Sequence, residues 1–361
     1  MSDMLDLLES PDERDLRASV REMLAAEAPW QSVLSFVTSS SPEPFDPKLW
    51  RTLATGMGLA GLLVPEAQGG AGAQWRAAAV VVEELGRAVA PVPFLSSAVV
   101  ATTALGSSEA PDLLGRLASG ELTAALAVPY GLWSAPPLLS VPDGAVTGTV
   151  RGVADGLGAG LLLVPGEDGL YAVDGAAVRR THVVSLDETR PLCDLEFSAT
   201  PARRVGPLAA VPSALRVAAT MVAAEQVGLA SWCLETTVAY LKERHQFGRP
   251  VGSFQGLKHR LADLWVELTQ ARAVVGYAVA DLAAGGEDAS VAASLAKVVG
   301  SEVAVRAAEE CVQMHGGIGF TWEHPAHLYL KRAKATAIAY GSPDRHRARL
   351  ANLVDLHLED S

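Results

Sequence analysis

Leu257, Leu261, Leu264, Leu268, Ala271, Val275, Ala278 and Leu282 stand four and three residues apart without a break. Steps of four and three keep side chains on one stripe of an α-helix, so this spacing predicts a long helix that buries one face against others of its kind. Gly285-Gly286 stops it, and the next helix repeats Val291, Val298, Val305 and Val312 before Gly316-Gly317 ends it in turn. The segment from about Ser213 to Glu243 reads as a further helix ahead of both. Long helices joined by short loops form a four-helix bundle, which we assign to residues 211–361.

The rest of the chain has two other textures. Residues 1–116 are helical, with apolar positions three and four apart from Leu16 to Leu24 and from Trp50 to Leu59, and a further helix from Ala77 to Ala88. Between them, Leu62 to Gly72 is a loop, because Pro65 and clustered glycines break any helix. Residues 117–210 carry short Val, Leu and Thr runs separated by Asp143-Gly144, Asp155-Gly156, Asp168-Gly169 and Asp174-Gly175, the texture of antiparallel β-structure. Pro142 and Pro165 limit individual strands to short or edge positions, so a small sandwich or barrel is expected there. No Rossmann glycine fingerprint is present. The fold class is therefore α+β in three domains: helical, β, then bundle.

Composition narrows the function. A length of 361 residues exceeds what one core usually supports, and 49% hydrophobic with 19% charged residues supplies ample core material. A net charge of -12 and a pI near 5.2 argue against nucleic acid or an anionic membrane as partner. Apolar runs such as Leu161 to Val164 end far short of a membrane span. The start Met1 to Asp6 is acidic and lacks the pattern of a signal peptide. Cys193, Cys233 and Cys311 are isolated, with neither disulfide nor zinc spacing, so a soluble, cytoplasmic protein is expected.

Two loops of the bundle carry chemistry. Arg244-His245-Gln246-Phe247-Gly248-Arg249-Pro250 runs into a helix starting near Ser253-Phe254-Gln255. Guanidinium groups and the free N–H groups of a helix start both favour phosphate oxygens, which makes this a candidate pyrophosphate site; read alone, it is equally a solvated basic loop. Gln313-Met314-His315-Gly316-Gly317-Ile318-Gly319 would let backbone amides approach a ligand closely, or would simply end a helix.

Together, these loops after a helical and then a β region resemble the acyl-CoA dehydrogenase family. The resemblance extends to Gly58-Leu59, Pro65-Glu66, Gly69-Gly70 and Ala262-Asp263 and covers nearly the whole chain. It implies a subunit of a dimer of dimers with FAD across an interface. It further implies that Arg244, Phe247, Gln255, Gln313, Gly316 and Gly317 reach the pyrophosphate and adenosine of a neighbour's FAD. The implied substrate is an acyl-CoA thioester that loses an α-proton and a β-hydride, with electrons passing to an electron-transfer flavoprotein.

The departures from the family pattern are as informative. The base is normally a glutamate near the end of the bundle, at the position that Tyr340 occupies here; a branch of the family carries it in the first bundle helix instead, at the position of Ala218. A phenol of ordinary pKa about 10 is a poor base near neutrality. Glu225, two turns beyond Ala218 among small apolar residues, is the remaining acid on that face. It reads first as a structural acid bonded to a neighbouring helix and second as a displaced base with a raised pKa. The family's flavin-lining Thr-Glu-Pro and Trp-x-Ser/Thr segments are replaced by Ala127 to Gly131 and Thr149 to Ala154.

The sequence thus keeps the half-site lent to a neighbour and loses the half it would use itself. That asymmetry resembles the non-catalytic subunits of α2β2 members from actinobacteria that act on steroid side-chain thioesters, where a homologous subunit supplies the glutamate. The alternatives are a self-sufficient homotetramer, a related flavin enzyme acting on a carrier-bound substrate, and a flavin-free scaffold. His315, His324 and His327 lack metal spacing, and no metal is assigned. Trp232, Trp265 and Trp322 read as packing residues, and the Asp344 to Arg347 stretch as a helix cap.

Overall fold

The computed structural model of the chain describes residues 7–39, 43–106, 110–286 and 288–354. The acidic start Met1 to Asp6 lies outside them.

The N-terminal layer begins with α1 (Pro11–Glu27), whose first turn is closed by a reciprocal capping box between Ser10 and Glu13, with Pro11 pre-setting the backbone. The short α2 (Trp30–Thr38) and α3 (Pro47–Arg51) follow. The expected Trp50 to Leu59 helix is broken: α3 widens into a π-turn over Thr52–Gly56, and Gly58 turns left-handed at φ 69° before a 3-10 turn at Leu59–Gly61. Next come α4 (Trp75–Ala88), a π-helical stretch Phe94–Ala101 running into α5 (Thr102–Leu105), and α6 (Pro111–Ala118).

The middle layer holds β1 (Ala124–Leu126), β2 (Ala145–Ala154), β3 (Leu161–Gly166), β4 (Gly169–Asp174), β5 (Arg179–Val183) and β6 (Leu192–Gly206). Their order is β1-β3-β4-β6-β2, with β5 also on β6. The long β6 joins two half-sheets, pairing β4 through Ala202 to Gly206 and β2 and β5 through its earlier residues. One expectation needs correction: β1 pairs β3 in parallel, so the layer is not wholly antiparallel. Pro165 sits one residue before the end of the short, six-residue β3, and is tolerated there because the β1 ladder ends at Leu163, short of the missing N–H.

The bundle comprises α7 (Ala210–Glu243), α8 (Gln255–Ala284), α9 (Ala289–His315), α10 (Ala326–Ile338) and α11 (Pro343–Leu353). α7 is apolar on nearly every side because it runs through the middle, between the N-terminal layer and the other bundle helices; it is long and apolar enough to cross a membrane, yet 94% of its most apolar window is buried within the protein. Gly228 allows α7 to press on α4: a Cβ there would lie 1.9 Å from the Glu83 carbonyl oxygen. Leu264, Leu268, Ala271, Val275 and Ala278 are buried on α8 as the stripe requires, and Gly285 ends that helix at φ 65°. The cap of α11 is Ser342, whose hydroxyl accepts from the Arg345 N–H, rather than any residue of the Asp344 to Arg347 stretch.

Candidate cofactor loops and a filled inner site

α7 and α9 end side by side, with the Tyr240 ring stacked on His315 at 4.4 Å, so the arginine and glycine loops leave the same end of the bundle. After Glu243 a small hairpin pairs His245 with Pro250 and Gln246 with Arg249, turning through Phe247 at φ 54° and Gly248 at φ 75°. The tip holds Phe247 outward, 91% exposed. Arg249 lies 3.9 Å over the Phe254 ring and the Val251 N–H donates to the Arg244 carbonyl at 2.7 Å, contacts that tie the hairpin to the start of α8. α8 starts at Gln255 with no side-chain cap, leaving first-turn N–H groups for an external acceptor.

The glycine loop is a 3-10 turn over Gly316–Phe320. Gly316 is left-handed at φ 61°, a local reason for glycine. Gly317 has no such reason: a Cβ there would meet nothing within 4 Å in this chain. A position kept bare without internal cause is suited to close approach by something outside. Arg244, Phe247, Gln255, Gln313, Gly316 and Gly317 are all exposed. Chemically, this surface offers a guanidinium, a carboxamide at a helix start, open amides and an aromatic ring, a set that fits a pyrophosphate with an attached base.

The inner site, where β-layer and bundle meet, is closed. The segment after β1 folds over so that the Tyr130 N–H donates to the Gly152 carbonyl at 2.9 Å, and the Tyr340 N–H donates to the Tyr130 carbonyl at 2.8 Å. The two rings meet edge to face at 6.1 Å. Tyr340, at φ 51°, is buried, as is Ala218. Burial pushes the Tyr130 phenol up to about 12 and raises that of Tyr340 further, so neither is a base near neutrality. The cavity left among Ser96, Val100, Leu126, Val128, Tyr130, Ala154 and Tyr340 measures about 10 Å³. That is at the threshold for a single water molecule and has no room for a flavin ring or an acyl chain.

Behind the tyrosines lies a buried ionic cluster. Glu225 accepts from Arg190 Nη2 at 2.9 Å and from Arg332 Nη1 at 2.5 Å. Arg332 Nε also pairs with Asp187 Oδ2 at 2.5 Å, and its Nη2 donates to Thr189 Oγ1 at 2.5 Å. Burial alone would raise the Glu225 pKa, but the two guanidinium charges outweigh it and hold the carboxyl below its ordinary value. Asp155, hydrogen-bonded to Ser96, goes the other way: burial dominates and raises its pKa. A carboxylate with both oxygens committed to arginines is not free to take a proton from carbon, so the geometry favours the structural reading of Glu225 over the raised-pKa base. Sequence reading missed Arg190 and Arg332, because their partnership with Glu225 joins positions 35 and 107 residues apart, and Asp187, which joins the cluster through Arg332.

Of the other residues singled out, Trp232 packs flat on Tyr329 at 3.6 Å, whereas Trp265 and Trp322 are 59% and 58% exposed and are not core residues. They stand on the solvent side of α8 and beside the glycine loop. The His315 and His324 rings lie 4.1 Å apart at a tilt of 32°, and no group of three or more potential metal ligands occurs among the described residues.

With the fold and both half-sites placed, comparison with known proteins is direct. Residues 10–121 match the acyl-CoA dehydrogenase N-terminal domain and residues 208–354 the acyl-CoA dehydrogenase C-terminal domain. The chain belongs to the acyl-CoA dehydrogenase family, whose cofactor is FAD. It is 38% identical to acyl-CoA dehydrogenase IpdE2 of Mycobacterium tuberculosis over 95% of this chain and 98% of that protein. Among solved structures, it resembles the Tcur3481-Tcur3483 steroid ACAD G363A variant at 34% identity and TM-score 0.85, covering 96% of this chain and 98% of that one. It also resembles the ChsE4-ChsE5 complex from Mycobacterium tuberculosis at 27% identity and TM-score 0.88, covering 98% and 100%.

Proposed function

We propose that this chain is the non-catalytic subunit of a heteromeric, FAD-dependent acyl-CoA dehydrogenase. The observation that carries this reading is the contrast between its two half-sites: the outward loops are open and fit a dinucleotide, while the inner site is closed around Tyr130 and Tyr340 to about 10 Å³, and the nearby Glu225 is held by two arginines. In this reading Arg244 and Gln255 hold pyrophosphate oxygens, Phe247 packs against the adenosine, and Gln313, Gly316 and Gly317 offer polar and amide contacts to the same cofactor. When bound, FAD supplies the hydride acceptor for α,β-desaturation; this chain's residues position it. The homologous partner, in an α2β2 tetramer, supplies the glutamate base and the ring pocket.

The domains we assign to this subunit are 1–116, 117–210 and 211–361. The inferred substrate is a bulky, steroid-derived acyl-CoA thioester, an inference supported by the resemblance to the Tcur3481-Tcur3483 steroid ACAD and to the ChsE4-ChsE5 complex. It binds on the partner's side, the inferred compartment is the cytoplasm, and the electrons leave to an electron-transfer flavoprotein. A self-sufficient homotetramer would need an inner site that opens.

The test is the visible absorbance spectrum of this chain purified alone and after co-expression with a homologue that carries the glutamate. Flavin only in the co-purified complex, about one per pair of unlike chains, is the expected result. Full flavin occupancy of the chain alone overturns the proposal.

A further inference from the structure

α1, α4, α7 and α8 surround a cavity of about 550 Å³ that shares no lining residue with the cofactor loops or with the closed inner site. Small-molecule sites span about 300–1,000 Å³ and combine apolar walls with a few placed polar groups. The apolar walls here are Ala79 and Val80 of α4, Ala224 and Val227 of α7, and Val275 and Val279 of α8. Gly276 lines the cavity too, in mid-helix, where glycine weakens the backbone. A Cβ there would meet nothing within 4 Å, so packing within the chain does not call for this glycine.

The charged groups around the cavity are not equally free. Arg76 donates twice to Glu13, Arg21 donates twice to Glu84, and Arg17 is shared among Glu9, Glu83 and Glu84. Arg272 pairs with no carboxylate among the described residues. Its Nη2 donates to Ser231 Oγ at 2.7 Å, and the Ser231 hydroxyl donates in turn to the Val227 carbonyl at 2.5 Å. That chain of bonds ties the guanidinium to α7 beside the apolar wall and leaves its other N–H groups for an acceptor from outside. Glu83 accepts from Arg17 at 2.9 Å, and burial raises its pKa, which lessens its repulsion of an arriving anion.

We propose that this cavity binds a monocarboxylate with an apolar body, the carboxylate on Arg272 and the body against α4, α7 and α8. The charge pattern sets the ligand class. One guanidinium without an acid partner beside an apolar chamber matches one anionic head on an apolar body, whereas a cation would find Glu9, Glu13 and Glu83 each already on an arginine. A free steroid acid and a free fatty acid share this chemistry. The bound acid braces three helices against one another and so stabilises the folded chain by mass action. The site stands whether or not the outward loops serve a partner's FAD.

The intact chain, alone and in any co-purified complex, is titrated by calorimetry with cholate and with decanoate below their micellar concentrations, and with methyl cholate and decanol as the uncharged controls. The expected result is saturable, one-to-one binding of at least one acid in both preparations, with a raised melting temperature and no comparable binding of its control. Preference for cholate assigns a ring system to the body, and preference for decanoate a linear chain. R272Q is expected to weaken binding roughly tenfold to a hundredfold, the worth of a hydrogen bond to a charged group. G276V, which adds its side chain where a Cβ meets open space, is expected to block the apolar body, and both variants keep the far-UV circular dichroism of the wild type. Absence of saturable binding, equal binding of acid and control, or an affinity unchanged in R272Q overturns the proposal. So does binding by the chain alone that is lost in the complex, which would assign the cavity to the partner subunit.

Discussion

Replacing Glu225 by Gln separates the structural role of this acid from a catalytic one. The carboxylate is 2% exposed and both its oxygens are bound, one to Arg190 and one to Arg332. Glutamine keeps the volume and one acceptor but cancels no charge, and its amide turns a donor toward a guanidinium. Removing one partner of a buried ion pair costs about 3–5 kcal/mol, because the remaining charge stays buried and uncompensated. Against total stabilities of roughly 5–15 kcal/mol, such a loss is plain in urea unfolding followed by tryptophan fluorescence. The pH dependence follows from the lowered Glu225 pKa: its contribution is present above the unfolded carboxyl value and is lost as pH falls through the lower folded value, so wild type and E225Q converge in acid. Turnover of the co-expressed complex is expected to survive within a few-fold in whatever fraction of E225Q remains folded. A stability loss below about 1 kcal/mol, combined with abolished turnover, would refute the structural assignment and make Glu225 the proton acceptor.

Other outcomes follow from the same geometry. Y340E, which returns a carboxylate to the family's usual base position, is expected to give no dehydrogenase activity in the isolated chain, because the adjoining cavity of about 10 Å³ admits no substrate; turnover by that variant alone would contradict the filled-site reading. G228A places a methyl group 1.9 Å from the Glu83 carbonyl oxygen, a backbone atom, and should cost at least the roughly 1–3 kcal/mol of core overpacking; an unchanged unfolding midpoint would mean that α4 and α7 separate freely. His346 is 2% exposed, and burial lowers its pKa from 6.5 to about 4. Its neutral form is the one that fits, so its share of stability is full above pH 6.5 and is lost as pH falls toward 4, and H346Q should flatten that part of the melting-temperature profile.

The elements with a regular period were legible from sequence. The stripe from Leu257 to Leu282 gave α8, the glycines at 285 and 316 gave its end and that of α9, and the loops on Arg244 and Gly316 were placed by their chemistry. What periodicity could not supply was contact between distant positions. The parallel pairing of β1 with β3 depends on where the chain returns after Gly156, which no local alternation encodes. The exposure of Trp265 and Trp322 was hidden because an aromatic residue at helical spacing suits a core and an outer face equally. Glu225 stood out as an acid among alanines, but the arginines that settle its charge come from a loop before β6 and from α10.

That cluster has a bearing on how the molecule can be divided. Asp155 follows β2, Asp187 and Arg190 lie in the loop before β6, Glu225 is in the middle of α7 and Arg332 is on α10, so one knot of three acids and two arginines draws on the β-layer and on two helices of the bundle. Cutting the chain at Gly206 leaves Glu225 facing Arg332 without Arg190, and leaves Arg190 with no carboxylate from the bundle. The β-layer and the bundle are therefore modules of sequence but not of stability: they are expected to melt together, and excised pieces carry exposed halves of a knot that only the joined polypeptide can tie.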